Sequence, residues 1–305
     1  MKPSTLRAAE LAAPKQQRNW DWRAATNFIL GGSGGGLLLC AVLSGLEPAF
    51  ARAAVALGLL LIGCGLTCVW FEIGRPWRAL NVYRHIASSW MTREAVVALA
   101  VFASGGLVVL TGAAVFSMLA AVCGAAFLYS QARILAANKG IPSWRHPASV
   151  PLMVGTGLAE GAGLAAVVGT VGVSGFGSTA ALGLLVLIAL RAWFWQRYLT
   201  GLVATGAPEA SLRVLHQFNA SFVLLGHVVP GLAVAAVLAG MPARPLLLVA
   251  GALVVASGWM LKYTLVRRAA FTQGLSLERL PVRGKGLPGA AIKPGWKIMP
   301  GTNRP

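Results

Sequence analysis

The chain contains only eight acidic residues, and two of them sit where proton chemistry would be expected. Glu72 lies in the run Trp70-Phe71-Glu72-Ile73-Gly74-Arg75-Pro76-Trp77-Arg78-Ala79-Leu80-Asn81, which closes one apolar segment. Glu94 ends Ser89-Trp90-Met91-Thr92-Arg93-Glu94, which opens the next. Between them come Arg75, Trp77, Arg78, Asn81, Tyr83, Arg84, His85, Trp90 and Arg93. If both segments cross a bilayer, the two carboxyls reach one depth on one side, at a boundary where acids are tolerated mainly when they have a use. A quinone would use them. Its ring arrives from the lipid, its carbonyls need hydrogen-bond partners, and it exchanges two protons with each two electrons; carboxyls can supply the protons, while arginine and asparagine polarise the oxygens. The competing account is an aromatic belt, snorkelling arginines and an acid at a helix start. It covers Glu94 and the tryptophans, but not Glu72, because the helix macrodipole disfavours an acid at a carboxyl end.

The elements that carry these residues follow from composition. Of 305 residues, 57% are hydrophobic and 11% charged, with a mean hydropathy of +0.71, too apolar for a soluble domain of this length. A bilayer core roughly 30 Å thick needs about 20 apolar residues per helix, which predicts an all-α, polytopic protein with eight spans. They are Ala24 to Leu46, Ala53 to Ile73, Glu94 to Leu110, Ala114 to Leu135, Ala148 to Val171, Ser178 to Tyr198, Val214 to Ala239 and Pro245 to Val266. The uncharged stretch from Ala95 to Ala132 would be about 57 Å long as one helix, so it must fold back, most simply at Thr111-Gly112. Spanning strands are excluded by the long apolar runs, which lack a period of two.

Basic residues set the expected orientation. With the amino terminus inside, 24 of the 26 Lys and Arg fall on the cytoplasmic side and two, Arg52 and Arg244, on the other. Both termini are then expected to be cytoplasmic. The net charge of +18 is concentrated on one face, which suits anionic lipid headgroups or an acidic protein partner. Residues 1–23 form a cytoplasmic segment without the apolar core of a cleavable signal. Residues 24–271 form the transmembrane domain, and 272–305 a basic, Pro- and Gly-containing tail with no core of its own.

Other constellations carry less. Cys40, Cys64, Cys68 and Cys123 lie within spans and lack the spacing of an iron-sulfur or zinc site. His85 and His146 fall in loops, while His216 and His227 are about 16 Å apart along one helix, too far to ligate one haem iron. Gly31-Gly32-Ser33-Gly34-Gly35-Gly36 has no phosphate-loop lysine; it suits close helix approach, and a thin helix wall would also leave room for a flat ligand. Glu160 and His227 sit mid-span, each a candidate for proton handling or for a polar pair that locks helices.

The two runs around Glu72 and Glu94 resemble the second-to-third-span segment of the DmsC-type anchor subunits of dimethyl sulfoxide reductase-like enzymes, in which a histidine precedes a Gly-x-Pro motif and a glutamate opens the third span. Gln17-Arg18-Asn19-Trp20-Asp21-Trp22-Arg23, Glu72, Phe271-Thr272-Gln273-Gly274 and Leu280-Pro281-Val282-Arg283-Gly284 look most like the anchors (SoeC type) of cytoplasmic sulfite dehydrogenase, and like that of phenylacetyl-CoA:acceptor oxidoreductase. The resemblance implies a three-part enzyme: a molybdopterin catalytic subunit, a four-cluster ferredoxin-like iron-sulfur subunit, and this membrane anchor, which exchanges electrons with ubiquinone or menaquinone without haem or metal of its own. Nucleic acid is not an implied partner. The family's glutamate maps onto Glu94 and its histidine onto Glu72, where this sequence departs from the pattern. The implied quinone site lies within residues 24–136, with Glu72 and Glu94 exchanging protons and Trp22, Asn27, Arg75, Trp90, Arg93 and Arg133 nearby. Sulfite is the expected electron source. Phenylacetyl-CoA, a sulfoxide, a purely structural anchor and a small-molecule transporter are the rivals, the last lacking the paired broken helices of many transporter folds.

Overall fold

A computed structural model describes residues 13–72, 81–83, 86–172 and 176–274. Among these are eight helices long and apolar enough to span a bilayer: α1 (Trp22–Leu43), α2 (Pro48–Glu72), α3 (Trp90–Thr111), α4 (Ala114–Ala136), α5 (Ser149–Val171), α6 (Ser178–Ala204), α7 (Glu209–Leu238) and α8 (Ala243–Arg268). The all-α, eight-span expectation holds. Several helices outrun their apolar segments: α2 begins five residues before Ala53, α6 ends six after Tyr198, and α7 begins five before Val214. Each of these expected bounds falls beside a charged residue, Arg52, Arg197 or Arg213, at which an uncharged run ends, whereas the helix continues through it.

Local chemistry fixes the ends that matter. Asp21 caps α1, its side chain accepting from Arg23 N at 2.7 Å, and Ser89 caps α3 by accepting from Thr92 N at 3.4 Å. Helices α3 and α4 are separated where the sequence requires a fold-back. Gly112 stands in the left-handed region at φ 68°, a conformation glycine adopts without a Cβ clash.

Helix α1 runs through the centre of the bundle because its glycines let neighbours approach backbone to backbone. A Cβ on Gly34 would lie 2.6 Å from Gly58 O of α2, and one on Gly35 would lie 2.8 Å from Gly124 O of α4. Gly36 meets Gly157 and Gly161 of α5 in the same way. The small-residue reading of this run is therefore correct for Gly34 to Gly36. Gly31 and Gly32 have another use: the space of their missing side chains is taken by the polar ends of Gln131 and Lys262.

At the end of the bundle that holds Trp20, Glu72 and Arg267, the segment before α1 is strapped to the segment after α8. Gln16 and Phe271 form an antiparallel bridge, with Gln17 N donating to Ala270 O and Thr272 N to Lys15 O, both at 2.8 Å. Gln17 Nε2 reaches Val266 O at 2.9 Å, and Arg267 Nη1 donates to Trp20 O at 3.0 Å. Trp20 then stacks on Trp144 at 4.8 Å between centroids and tilts onto Phe28 at 5.6 Å. The indole of Trp144 is tied to Leu265 O at 2.7 Å.

Candidate functional site

The strapped face holds a cavity of about 310 Å³ between the first four helices, lined by Asn19, Trp20, Ala24, Asn27, Phe28, Val69, Glu72, Met91, Glu94 and Ile134. Each wall comes from a different element. The anchored arm supplies Asn19 and Trp20, while α1 supplies Ala24, Asn27 and Phe28 one turn apart. Helix α2 ends on Val69 and Glu72, α3 starts on Met91 and Glu94, and α4 adds Ile134. The convergence of Glu72 and Glu94 is the geometry expected if α2 ends and α3 begins at one boundary.

Glu94 is buried, 6% exposed, one turn inside α3. Its hydrogen-bonding neighbours are two amides, Asn27 and Gln131, with Asn27 Nδ2 donating to Oε1 at 3.4 Å. Gln131 Nε2 donates to Asn27 O at 3.0 Å, which couples α4 to α1 behind the acid. Among the described residues no lysine or arginine pairs with Glu94. Asn27 Oδ1 and Gln131 Oε1 are buried acceptors without a hydrogen-bond partner among the described residues, an arrangement that favours a donor arriving from outside the chain.

Glu72 is half-buried at the last residue of α2. Its unfavourable position on the macrodipole is offset by a backbone donor, Asp21 N at 3.4 Å, and by Arg23, which donates to the neighbouring helix-end carbonyl Phe71 O at 2.7 Å. Arg23 also forms an ion pair with Asp21 at 2.8 Å. Its hydrogen bonds hold the Asp21 carboxyl below the usual carboxylate range, so of the two acids at this rim Asp21 is committed to a cation and Glu72 is not.

The remaining expected residues separate into groups. Trp22 is 57% exposed and does not line the cavity. Trp90, Arg93 and Arg133 form a cation-π stack outside it, with the guanidinium carbons 4.3 and 4.7 Å from the Trp90 ring. Tyr129 meets Trp90 edge-on, and Arg93 is tied to Ile86 O and Ala87 O at 3.0 and 2.7 Å. These contacts secure the start of α3. Arg75 lies outside the described residues, as do the rest of 73–80, His85 and the tail from 275 on. Trp20 and Gln131 were not read as site residues from the sequence. Gln131 had a usable signal, since it is the only side-chain amide in the α4 sequence.

The family model for the DMSO reductase anchor subunit (DmsC) matches residues 37–261. The chain belongs to the DmsC family. It is accordingly a multi-pass membrane protein and the anchor subunit of a DMSO reductase-like oxidoreductase, whose substrate catalysis resides on partner subunits. The match includes Glu72, Glu94 and Gln131 but begins after Trp20 and Asn27, so part of the cavity wall lies outside it. No curated protein matches the chain.

The far half of the bundle carries polar groups of another kind. Glu160 of α5 and Lys262 of α8, both fully buried, form an ion pair at 2.5 Å. Ser33 donates to the same carboxylate at 2.6 Å and accepts from Trp259 Nε1 at 2.8 Å. Arg191, also fully buried, sits mid-way along α6 and donates to Val254 O and to His227 Nε2, at 3.0 and 3.3 Å, and to Gly226 O. Pro230 explains the last contact: it has no N–H to offer the carbonyl one turn back, and α7 widens into a π-turn at Leu224–Val228. The charge count places Arg191 and Lys262 on the cytoplasmic face, whereas both are buried inside the bundle, so 22 cations against two remain in support of that expected orientation.

Proposed function

We propose that this anchor subunit is quinone-reactive, and that the cavity at Glu94 and Glu72 is where the quinone ring is held. The observation that carries the reading is Glu94 itself: a buried acid without a cation partner among the described residues, facing a cavity beside the orphaned Oδ1 of Asn27. The volume of about 310 Å³ is at the lower end of small-molecule pockets, roughly 300–1,000 Å³, and suits a ring whose tail extends into lipid. Trp20, Phe28 and Met91 offer apolar contact. Asn27 offers an acceptor for a reduced ring's hydroxyl, and the two carboxyls can exchange protons at its oxygens. Bound quinone supplies the two-electron acceptor. Asn27 orients it, Glu94 and Glu72 move protons, and the Trp90–Arg93–Arg133 stack positions Glu94 through the start of α3. Arg75 is proposed as a further polar neighbour.

Electrons would arrive from an iron-sulfur subunit docked on the strapped face, with a molybdopterin subunit beyond it. The direction favoured is quinone reduction, with sulfite as donor. The positive-inside asymmetry supports a cytoplasmic location for that face. Labelling from the periplasm should therefore fail to modify a cysteine introduced at position 86; modification there would reverse the orientation. A photoreactive quinone analogue should label peptides within residues 19–28 and 91–94 of the intact complex. Labelling confined to α5–α8 would refute the site.

A further inference from the structure

A line of buried polar groups leads from the back of the cavity to the ion pair at the centre of the bundle. It starts at Glu94 and passes Asn27 and Gln131, both buried. Gln131 Oε1 faces the space left by the missing side chain of Gly32, where a Cβ would lie 3.6 Å from that oxygen and 3.2 Å from Lys262 Cε. Lys262 Nζ reaches into the same space, donating to Ile29 O at 3.4 Å and to Glu160 Oε2 at 2.5 Å. Three buried acceptors along this line, Asn27 Oδ1, Gln131 Oε1 and Glu160 Oε1, have no hydrogen-bond partner among the described residues. Buried acceptors of this kind are met by water, and a glycine at position 32 leaves the amide and the ammonium side by side.

We propose that the Lys262–Glu160 pair is an internal proton store for Glu94, connected to it by water held between Gln131 and Lys262. The proposal rests on the quinone reading above. When the cavity is filled, the ring and the strapped Trp20 separate Glu94 from solvent, yet two protons are needed for each two electrons. Once Glu94 has given its proton to a ring oxygen, an N–H bond of the Lys262 ammonium breaks. Its electron pair stays on Nζ, and the proton passes through water to form an O–H bond on the Glu94 carboxylate. Nothing is oxidised or reduced in this step; the electrons come separately from the partner's one-electron carriers. Lys262 regains its proton by the same route after the cavity reopens. A purely structural pair would need only the charge on Lys262, whereas a store needs a cation that can release its proton, and arginine is effectively always protonated.

The test is Lys262→Arg in the complete membrane complex. Quinone-linked turnover should fall roughly tenfold or more, while reduction of artificial dyes by the partner subunits and the amount of assembled complex stay near wild type. In wild-type complex with 15N-labelled lysine, reduction of bound quinone should produce infrared difference bands of a lysine ammonium that move with the label. Full quinone-linked turnover in Lys262→Arg would overturn the store, leaving the pair structural. If the variant fails to assemble, the infrared measurement decides, and the absence of a label-sensitive band overturns the proposal. Glu94→Gln measured alongside distinguishes the two levels: if it too keeps full quinone activity, the quinone site is wrong; if only Lys262→Arg does, the store alone is wrong.

Discussion

Glu94 and Glu160 are both buried acids on membrane-spanning helices, and they differ in what stands opposite the carboxyl: an internal cation in one case and a cavity in the other. Glu160 has a lysine at 2.5 Å and a serine at 2.6 Å, and it does not line the cavity in front of Glu94. Glu94 has two amides for neighbours, no cation among the described residues, and a cavity in front of it. Burying a charge is costly in either place. At Glu160 the cost is offset within the chain by a charge partner. At Glu94 no such partner stands among the described residues, which is the ground for proposing that its proton serves a ligand. Intramembrane depth alone, the signal that singled out Glu160 and His227 in the sequence, does not distinguish these situations; the identity of the partner does.

The sharpest way to break the comparison is to remove the partner. Lys262→Met leaves Glu160 uncompensated and should cost about 3–5 kcal/mol, read as loss of folded subunit in detergent melts. The double variant Lys262→Met with Glu160→Met should recover much of that loss, because a buried pair replaced by apolar side chains is often neutral. Arg191→Met should be similarly damaging, since it takes the guanidinium donors from Gly226 O, which Pro230 cannot serve, and from His227 Nε2, with no recovery from changing Glu160. On the other side of the comparison, Trp20→Ala removes a cavity wall without touching an acid. It should raise the quinone KM roughly tenfold, equivalent to about 1.4 kcal/mol of lost contact, with little change in kcat. Arg133→Gln should have the smallest effect, within about threefold on either parameter, because its guanidinium packs on Trp90 outside the cavity.

The fold was largely legible because bilayer thickness and apolar run length constrain each other, and because a single fold-back at Thr111-Gly112 resolves an otherwise over-long helix. Glu72 and Glu94 were legible as neighbours because two helix ends at one boundary must share a depth, and Asn27 entered only through the family resemblance. Lys262 was not. A lysine near the end of an apolar run has the same local pattern whether it snorkels to water or turns inward, and its partner lies 102 residues away. Arg191 was hidden similarly, by a proline and a π-turn on another helix that free a carbonyl for it. The strap was also invisible, since one bridge between Gln16 and Phe271 leaves no periodic pattern. Trp20 enters the cavity wall only through that strap.

The central claim is that Glu94 serves a ligand whereas Glu160 is paired within the chain, and it is tested most directly by Glu94→Gln in the assembled complex, with turnover measured against quinone and against a dye that accepts electrons from the soluble subunits. Glutamine keeps the shape and one acceptor oxygen for Asn27 Nδ2 but carries no exchangeable acid proton. Quinone-linked turnover should fall by roughly 10² or more while dye reduction and assembly stay near wild type. Full quinone-linked activity, or an equal loss of both activities, would contradict the assignment and make Glu94 a structural acid.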